Sequence, residues 1–530
     1  MMKVLFIPLD DRPCCLNFPR ELAGIAGFKL AVPPREILGC FLEPGNPPEL
    51  GVWIKNNFSG DAALVVSLDM LAYGGLVASR LPLIQLEDAL ENLGALPTFR
   101  ARGAETSIYA FQALMRAAPT ATTPGEDGLA RKIERFSFLK EAVNREHSPE
   151  KLAELRDITR RIPEGDLQDY LMTRERNHLL NTRMIYWVKD GFLDYLVIGL
   201  DDVPSGGLSI AERRILEALV DFQRLGSRVV FHPGTDEMGL LLLARAISSA
   251  RNISPSFFPI YSRPETRTLI PRYEDEPLEC IVEKQIEAAG GRVAGSREEA
   301  DILFFVHTPD GAQKEAVLQS LDEKADGATD SFVNAIVSAL QNGKEAALAD
   351  TAYANGADRL LVSRLRRSVP IHLLASFAAW NTAANTLGTA IAQSIIRFIG
   401  KESLKTEDLS LDEAKRMEEA HLSFLFSRFL DDWAYQSIIR GKIKKAVISA
   451  GLSPLFLGEG ADWVAGMVRD CLRESGKQFF EEHFQGQTVR MNLRGREHAA
   501  TIGPLSSIKA TLPWNRLFEV EITPSFELSC

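Results

Sequence analysis

The 530-residue chain is long enough for two or three domains with a large core, and 45% hydrophobic with 25% charged residues is the composition of a folded, water-soluble protein rather than a disordered or fibrous one. Its 60 basic and 71 acidic residues leave a formal net charge of −11, which argues against a nucleic-acid or anionic-membrane partner and favours a neutral or cationic small molecule. No stretch approaches the roughly 18 to 20 uninterrupted apolar residues of a membrane span, and the start "MMKVLFIPLDDRP" runs straight into a strand without a signal-peptide pattern, so a cytoplasmic protein is expected.

In chain order, apolar runs at 4–9, 29–32, 62–68 and 106–111 are each followed by turn residues or a helical pattern, the alternation of a parallel sheet with helices outside. Residues 126–190 change character: charge is dense and apolar residues recur every three or four positions, which predicts a helical insertion, a flap or an interaction arm. Strands return at 195–200 and 227–231. The proline-rich stretch 255–277 reads as an irregular connection. After it, "LECIVEKQIEAAGG" is a helix closed by glycines, and "ADILFFVHTPDG", "EAALADTAYANGAD" and "VPIHLLASFAAWNTAANTLGT" are three more strands with polar ends. This places an α/β body over 1–398, a helical region over 399–475 and a small β element over 476–530. The six cysteines are scattered, and the one close pair, Cys14 and Cys15, lacks metal-ligand spacing, so free thiols are expected.

The apolar strands before residue 400 number nine, and a (β/α)₈ barrel needs eight. Setting aside "KLAVPP", short and interrupted by two prolines, leaves eight and predicts a (β/α)₈-barrel-like body. The competing architecture is two doubly wound α/β sheets, one before and one after the proline-rich stretch, with the site between them.

Three of the apolar runs end in Leu-Asp: "VLFIPLDDRP", "LVVSLDMLAYGG" and "VIGLDDVPSGGLS". In parallel α/β folds the carboxyl ends of the strands carry the loops that build active sites. Asp201 and Asp202 are therefore the expected catalytic pair, because two adjacent, partly buried carboxylates cannot both ionise cheaply and one becomes a general acid near neutrality. Asp10, Asp11 and Arg12 form a second such end, with an arginine that either neutralises the carboxylates or presents a fork to substrate. Asp69 and Tyr73 lie in the third, where paired glycines let backbone approach a ligand. His232, Asp236 and Glu237 in "HPGTDE" could supply a base or ligands to a divalent ion, while helix capping accounts for Asp236 and Glu237 without one. His307 with Asp310 is a weaker version of the same pattern. Asp350, Tyr353 and Asn355, with Trp380, Asn381 and Asn385, mix flat apolar faces with amides and so suit a sugar ring, against the plainer reading of Trp380 as core and the asparagines as caps. The fingerprints GxGxxG, GxxxxGK[ST] and HExxH do not occur, so no cofactor is expected, a divalent metal being the alternative.

The stretches 8–13, 67–80, 201–207, 353–358 and 380–389 resemble a bacterial family, domain-of-unknown-function family 4127, over nearly the whole chain; the family name implies no activity. The Asp-Asp pair after a fourth strand is similar in arrangement to that of O-GlcNAcase-type, substrate-assisted glycoside hydrolases. That resemblance implies that Asp201 orients the 2-acetamido group, that Asp202 protonates the leaving oxygen and that Trp380, Asn381 and Asn385 line the sugar pocket. The reading is a glycosidase-like hydrolase acting on a small glycoside, with N-acetylated amino sugars as one candidate. A divalent-metal-dependent hydrolase using Asp10, Asp69, Asp201, Asp202, His232 and Asp236 and a non-catalytic small-molecule-binding protein are the alternatives. A small-molecule, carbohydrate partner is expected, with neither nucleic acid nor membrane; the sequence leaves the oligomeric state open.

Overall fold

The computed structural model describes residues 3–58, 63–102, 106–120, 127–201, 206–319 and 327–529. The chain divides into two compact units, one of Met1–Asp11, Leu30–Leu242 and Tyr273–Asp275, the other of Arg12–Lys29, Leu243–Arg272 and Glu276–Cys530. Strand β1 (Val4–Ile7) thus belongs to the first unit, while the helix that follows it, α1 (Pro13–Ile25), belongs to the second.

The first unit is built on β1, β2 (Leu30–Ala31), β3 (Ala63–Ser67), β4 (Ile108–Leu114), β5 (Tyr195–Leu200) and β6 (Val229–Pro233). They pair in the order β2-β1-β3-β4-β5-β6, parallel throughout. Every residue of β1, β3, β4 and β5 is buried, which is why these segments are nearly continuous apolar runs, interrupted by Ser67 and Gln112, with no polar face. The proline-interrupted "KLAVPP" supplies only the two-residue edge strand β2, since Pro33 and Pro34 have no N–H to extend the ladder. Helix α2 (Leu68–Tyr73) starts at once after β3 because the Ser67 hydroxyl accepts the Met70 N–H at 3.1 Å and caps it. The insertion folds as α3 (Asp127–Glu146), α4 (Pro149–Arg160) and α5 (Glu164–Lys189). Its apolar positions Ile133, Phe136, Leu139, Leu155 and Tyr170 form one cluster with Met115, which lies just beyond β4.

The second unit repeats the plan. Its strands β7 (Ser256–Tyr261), β8 (Arg292–Val293), β9 (Ile302–His307), β10 (Glu345–Asp350) and β11 (Ser376–Ala378) pair in the order β8-β7-β9-β10-β11, again all parallel. Helices α6 (Gly327–Gln341) and α7 (Arg359–Ser368) follow β9 and β10. Beyond β11 come α8 (Ala383–Thr406) and α9 (Leu411–Arg428), and α9 continues into an 11-residue π-helical stretch, Phe429–Ile439. The terminal helix α10 (Ala461–His483) leads to antiparallel β pairs between Thr488 and Ser529. Phe377 of β11 stacks on Phe429 at 3.9 Å between centroids, and Leu348, Phe426, Phe479 and Ile508 share one core with them.

A closed eight-stranded barrel, the expectation from the strand count, is not formed by the described residues. All nine anticipated strands are present, but they are distributed over two open sheets, six in the first and three in the second. The second sheet is completed by β8 and by β7, which lies inside the proline-rich stretch expected to be irregular. Pro259 is tolerated there because it falls past the two residues of β7 that pair with β8, where a missing N–H breaks no ladder bond on that side. The alternative expectation, two doubly wound sheets, is the one the strand orders match. Among the described residues no helix is long and apolar enough to cross a membrane.

Packing of the first sheet yields a direct test. A Cβ placed on Gly199 of β5 would stand 2.3 Å from the Gly234 carbonyl oxygen and 2.5 Å from the Met238 sulfur. Gly199→Ala is expected to lower stability by about 1–3 kcal/mol, read from the urea midpoint.

Candidate functional site

In both sheets the strand order reverses beside the first strand, at β1/β3 in one and at β7/β9 in the other. At such a reversal the connections leave in opposite directions and open a crevice at the carboxyl ends of the strands. The polar residues that end the apolar runs sit at these two places and along the neighbouring strand ends.

In the first unit Asp10 and Asp11 follow β1 and are buried, and the Arg35 guanidinium reaches the Asp11 carbonyl at 3.5 Å. Asp69, in the first turn of α2, accepts the Ala113 N–H from β4 at 2.7 Å, so its carboxylate takes over pairing where β3 has already ended. Burial pushes its pKa up to about 7 against that hydrogen bond, and the charge of Asp201 adds to the rise while Arg80 opposes it. Asp201, at the end of β5, pairs with Arg80 at 2.6 Å in an environment almost closed to water. The same guanidinium donates to the Thr120 hydroxyl at 3.1 Å. Asp202 lies outside the described residues.

Helix α5 secures this corner. Arg176 donates to the carbonyls of Ser79, Leu81 and Ile84 and lies 4.4 Å over the ring of Tyr73, whose hydroxyl burial pushes well above its ordinary pKa. Arg80 also contributes to the wall of a cavity of about 150 Å³ in which Thr120 faces Asp166, Asp169 and Tyr170 of the insertion. The predicted flap therefore walls a recess whose arginine is the partner of Asp201 and whose lining mixes apolar residues with Thr120, Asp166 and Asp169.

His232, on β6, is fully buried; its Nδ1 donates to the Pro233 carbonyl at 2.7 Å, with the buried Glu237 carboxylate 3.8 Å away. Gly234 between them has φ of +91°, and a Cβ there would overlap the Glu237 carboxylate at 2.1 Å, so this turn requires glycine. Asp236 is buried in the same turn. Among the described residues no three His, Cys, Asp or Glu side chains gather closely enough to hold a metal ion.

In the second unit Asp350, ending β10, accepts the N–H groups of Ala352 at 3.1 Å and Asp358 at 2.6 Å. Burial pushes its pKa up to about 6, against the pull of His307. Asp358 caps α7 through one oxygen, 2.8 Å from the Leu360 N–H, and holds the His307 Nε2 at 3.0 Å through the other. Burial alone would raise the Asp358 pKa, but the hydrogen bond and charge of His307 outweigh it and bring it below the usual carboxylate range. The other ring nitrogen lies 3.1 Å from the Ser262 hydroxyl, which also accepts the Thr308 N–H at 2.9 Å. Serine, histidine and aspartate are thus in line, yet Ser262 is committed to backbone and does not line the neighbouring cavity, so it braces the ring. That cavity, about 240 Å³, is faced by His307, Asp358, Asp310 and Tyr353 together with Arg263 and Lys314.

Arg12, Asn355, Trp380 and Asn381 collect elsewhere in the same unit. Asn355, Trp380 and Asn381 surround a recess of only about 20 Å³ with Asp431, Gln436 and Glu519. Arg12 lies 4.0 Å from Glu519 and 5.1 Å over the Trp514 ring. Trp380 is buried, edge-on to Phe18, with its indole N–H on the Thr389 hydroxyl at 3.0 Å. Asn355 donates to Glu315 at 2.8 Å, and Asn385 forms the capping box of α8 with Thr382 while accepting from Asn381 at 2.6 Å.

Sequence reasoning missed Asp432. It is fully buried in the π-helical stretch, accepts the Ala379 N–H at 2.7 Å and pairs with Arg428 at 2.9 Å; burial lifts its pKa to about 8 in spite of that arginine. "FLDDWAYQ" did carry a signal, another Asp-Asp pair, and Arg428 three and four residues earlier falls on the same helix face.

The family model described as "Protein of unknown function (DUF4127)" matches residues 4–523. No curated protein and no solved structure matches the chain. The arrangement borrowed from O-GlcNAcase-type enzymes also assumed a barrel, and Asp201 instead ends a strand of an open sheet.

Asp69 couples the fold to pH. Its carboxyl is protonated in the folded protein up to about 7 but ionises from the ordinary value of 3.8 when unfolded, so stability falls as pH rises between these two values. Asp69→Asn, which keeps an acceptor for the Ala113 N–H, is expected to remove that slope: relative to the parent its thermal midpoint rises between pH 4.5 and pH 8, and equal shifts at both would refute the buried-acid assignment.

Proposed function

The chain belongs to the DUF4127 family, a membership that specifies no reaction, and from its strand-end carboxylates we propose that the protein is a hydrolase acting on a small glycoside. The observation that carries the reading is the Asp69 carboxyl, pushed up to about 7, beside an Asp201 held by Arg80. Two carboxylates whose surroundings differ in this way are what acid-assisted glycoside cleavage needs. Asp69 donates its proton to the leaving glycosidic oxygen as the bond from that oxygen to the anomeric carbon breaks. Asp201 balances the positive charge that develops on the sugar, and water completes the hydrolysis. In an N-acetylated amino sugar Asp201 would instead orient the 2-acetamido group, so this substrate class belongs in the test. The Arg80-lined recess, walled by the insertion, supplies hydroxyl and carboxylate partners for a polar ring.

The test is a panel of 4-nitrophenyl glycosides, including an N-acetylglucosaminide. Turnover should fall on the alkaline side with a midpoint near 7, as Asp69 loses its proton. Asp69→Asn should reduce kcat by about 10²- to 10⁴-fold and abolish that limb. An unchanged kcat in the variant, or no glycoside turned over by the parent protein, would set the reading aside.

A further inference from the structure

We propose that the recess walled by α3 and α5 holds a primary ammonium, so that the sugar it takes is a hexosamine whose amine is free rather than acetylated. The proposal rests on the glycosidase reading for the reaction and deepens it by naming the substrate class.

The charge comes from one face of α5. Asp166, Asp169, Tyr170 and Thr173 recur along that helix at three- and four-residue spacings, so all four lie on the face that lines the recess. Among the described residues neither aspartate forms an ion pair or a side-chain hydrogen bond. Like charges one turn apart on a helix repel each other, and a cation set beside both relieves the repulsion. Among the described residues the only cation in the lining is Arg80, and its guanidinium is committed to Asp201 at 2.6 Å. Arg116 reaches the Thr120 hydroxyl at 3.5 Å without lining the recess, and with it counted two arginines still face three aspartates.

Thr173 is an independent sign of an occupant. It is 3% exposed, lines the recess, and its hydroxyl has no hydrogen-bond partner. A buried hydroxyl left without a partner costs free energy, which a ligand amine or hydroxyl recovers. The remainder of the lining is largely apolar, with Leu81, Pro82 and Pro119 joined by Leu129 and Ile133 of α3. A hexosamine suits this mixture: its C–H surface covers the apolar part while its ammonium and hydroxyls meet the carboxylates and threonines. An ammonium brings a charge and three donors to Asp166 and Asp169, whereas an acetamido group brings one N–H and no charge. A volume of about 150 Å³ is small for a ligand pocket and suits one sugar ring rather than a chain of them.

Isothermal titration of the full chain with glucosamine, N-acetylglucosamine and glucose is the test. Glucosamine should bind saturably, about fivefold or more tighter than the other two, with the advantage shrinking at high salt. The double variant Asp166→Asn/Asp169→Asn should erase that advantage, and Thr173→Val, which removes the hydroxyl at constant shape, should also weaken glucosamine binding. Both aspartates are exposed, so their replacement leaves the core untouched. No glucosamine binding, equal binding of glucosamine and glucose, or an advantage that survives in the folded double variant overturns the proposal. Turnover of 4-nitrophenyl glycosides separates it from the hydrolase reading. Glucosamine bound with no glycoside hydrolysed removes the hydrolase and leaves the amine site, whereas hydrolysis of a glucoside or N-acetylglucosaminide without glucosamine binding does the reverse.

Discussion

Parallel strand pairing is the constraint from which the rest of the molecule follows. A parallel strand cannot be joined to its neighbour by a tight turn; the chain must return over a face of the sheet, and helices therefore cover both sides and force the strands to be apolar throughout. In each unit the chain then extends the sheet first on one side of its opening strand and afterwards on the other, giving β2-β1-β3 in the first and β8-β7-β9 in the second. The loops part at that reversal. Polar groups placed one or two residues past the strand ends become the only ones that can face a ligand from an otherwise sealed layer.

Burial then does the electrostatic tuning. Asp69, Asp350 and Asp432 are all carboxyls withdrawn from water at or near strand ends, and each has its pKa raised, to about 7, 6 and 8. Each also accepts a backbone N–H that the sheet leaves over: Ala113 for Asp69, Ala352 and Asp358 for Asp350, and Ala379 for Asp432. These bonds favour the charged form, and desolvation still prevails, which is the condition for a carboxyl that holds its proton near neutrality. Asp358 goes the other way because His307 hydrogen-bonds it directly, whereas at Asp350 the same imidazole only moderates a rise that burial dominates.

Support for these corners comes from elements far away in sequence. Arg176 of α5 holds the carbonyls of Ser79, Leu81 and Ile84, roughly a hundred positions earlier in the chain, and covers Tyr73. In the second unit the π-helical stretch after α9 sends Asp432 to the Ala379 N–H past β11, while Phe429 stacks on Phe377 of the same strand. Arg428, at the end of α9, reaches both Asp431 and Asp432 at the three- and four-residue spacings that share one helix face.

The sequence by itself determined the strands and the polarity of their ends. Runs such as VLFI, ALVVS and YLVIGL can bury both faces only in a covered parallel sheet, and an aspartate after such a run must lie at its carboxyl end. It marked Asp69, Asp201 and Asp350, and the capping pattern that Asn385 adopts in α8. Only the tertiary structure decided that the strands divide between two open sheets, because a count of staves carries no information about which edges meet, and β7 was hidden by prolines whose harmlessness depends on where its neighbour β8 stops. It also decided that Asp201 answers to Arg80, and that His307 is clasped by Asp358 and Ser262 beside a cavity. Those partnerships are set by desolvation and by contacts between residues tens of positions apart, quantities that local spacing does not encode.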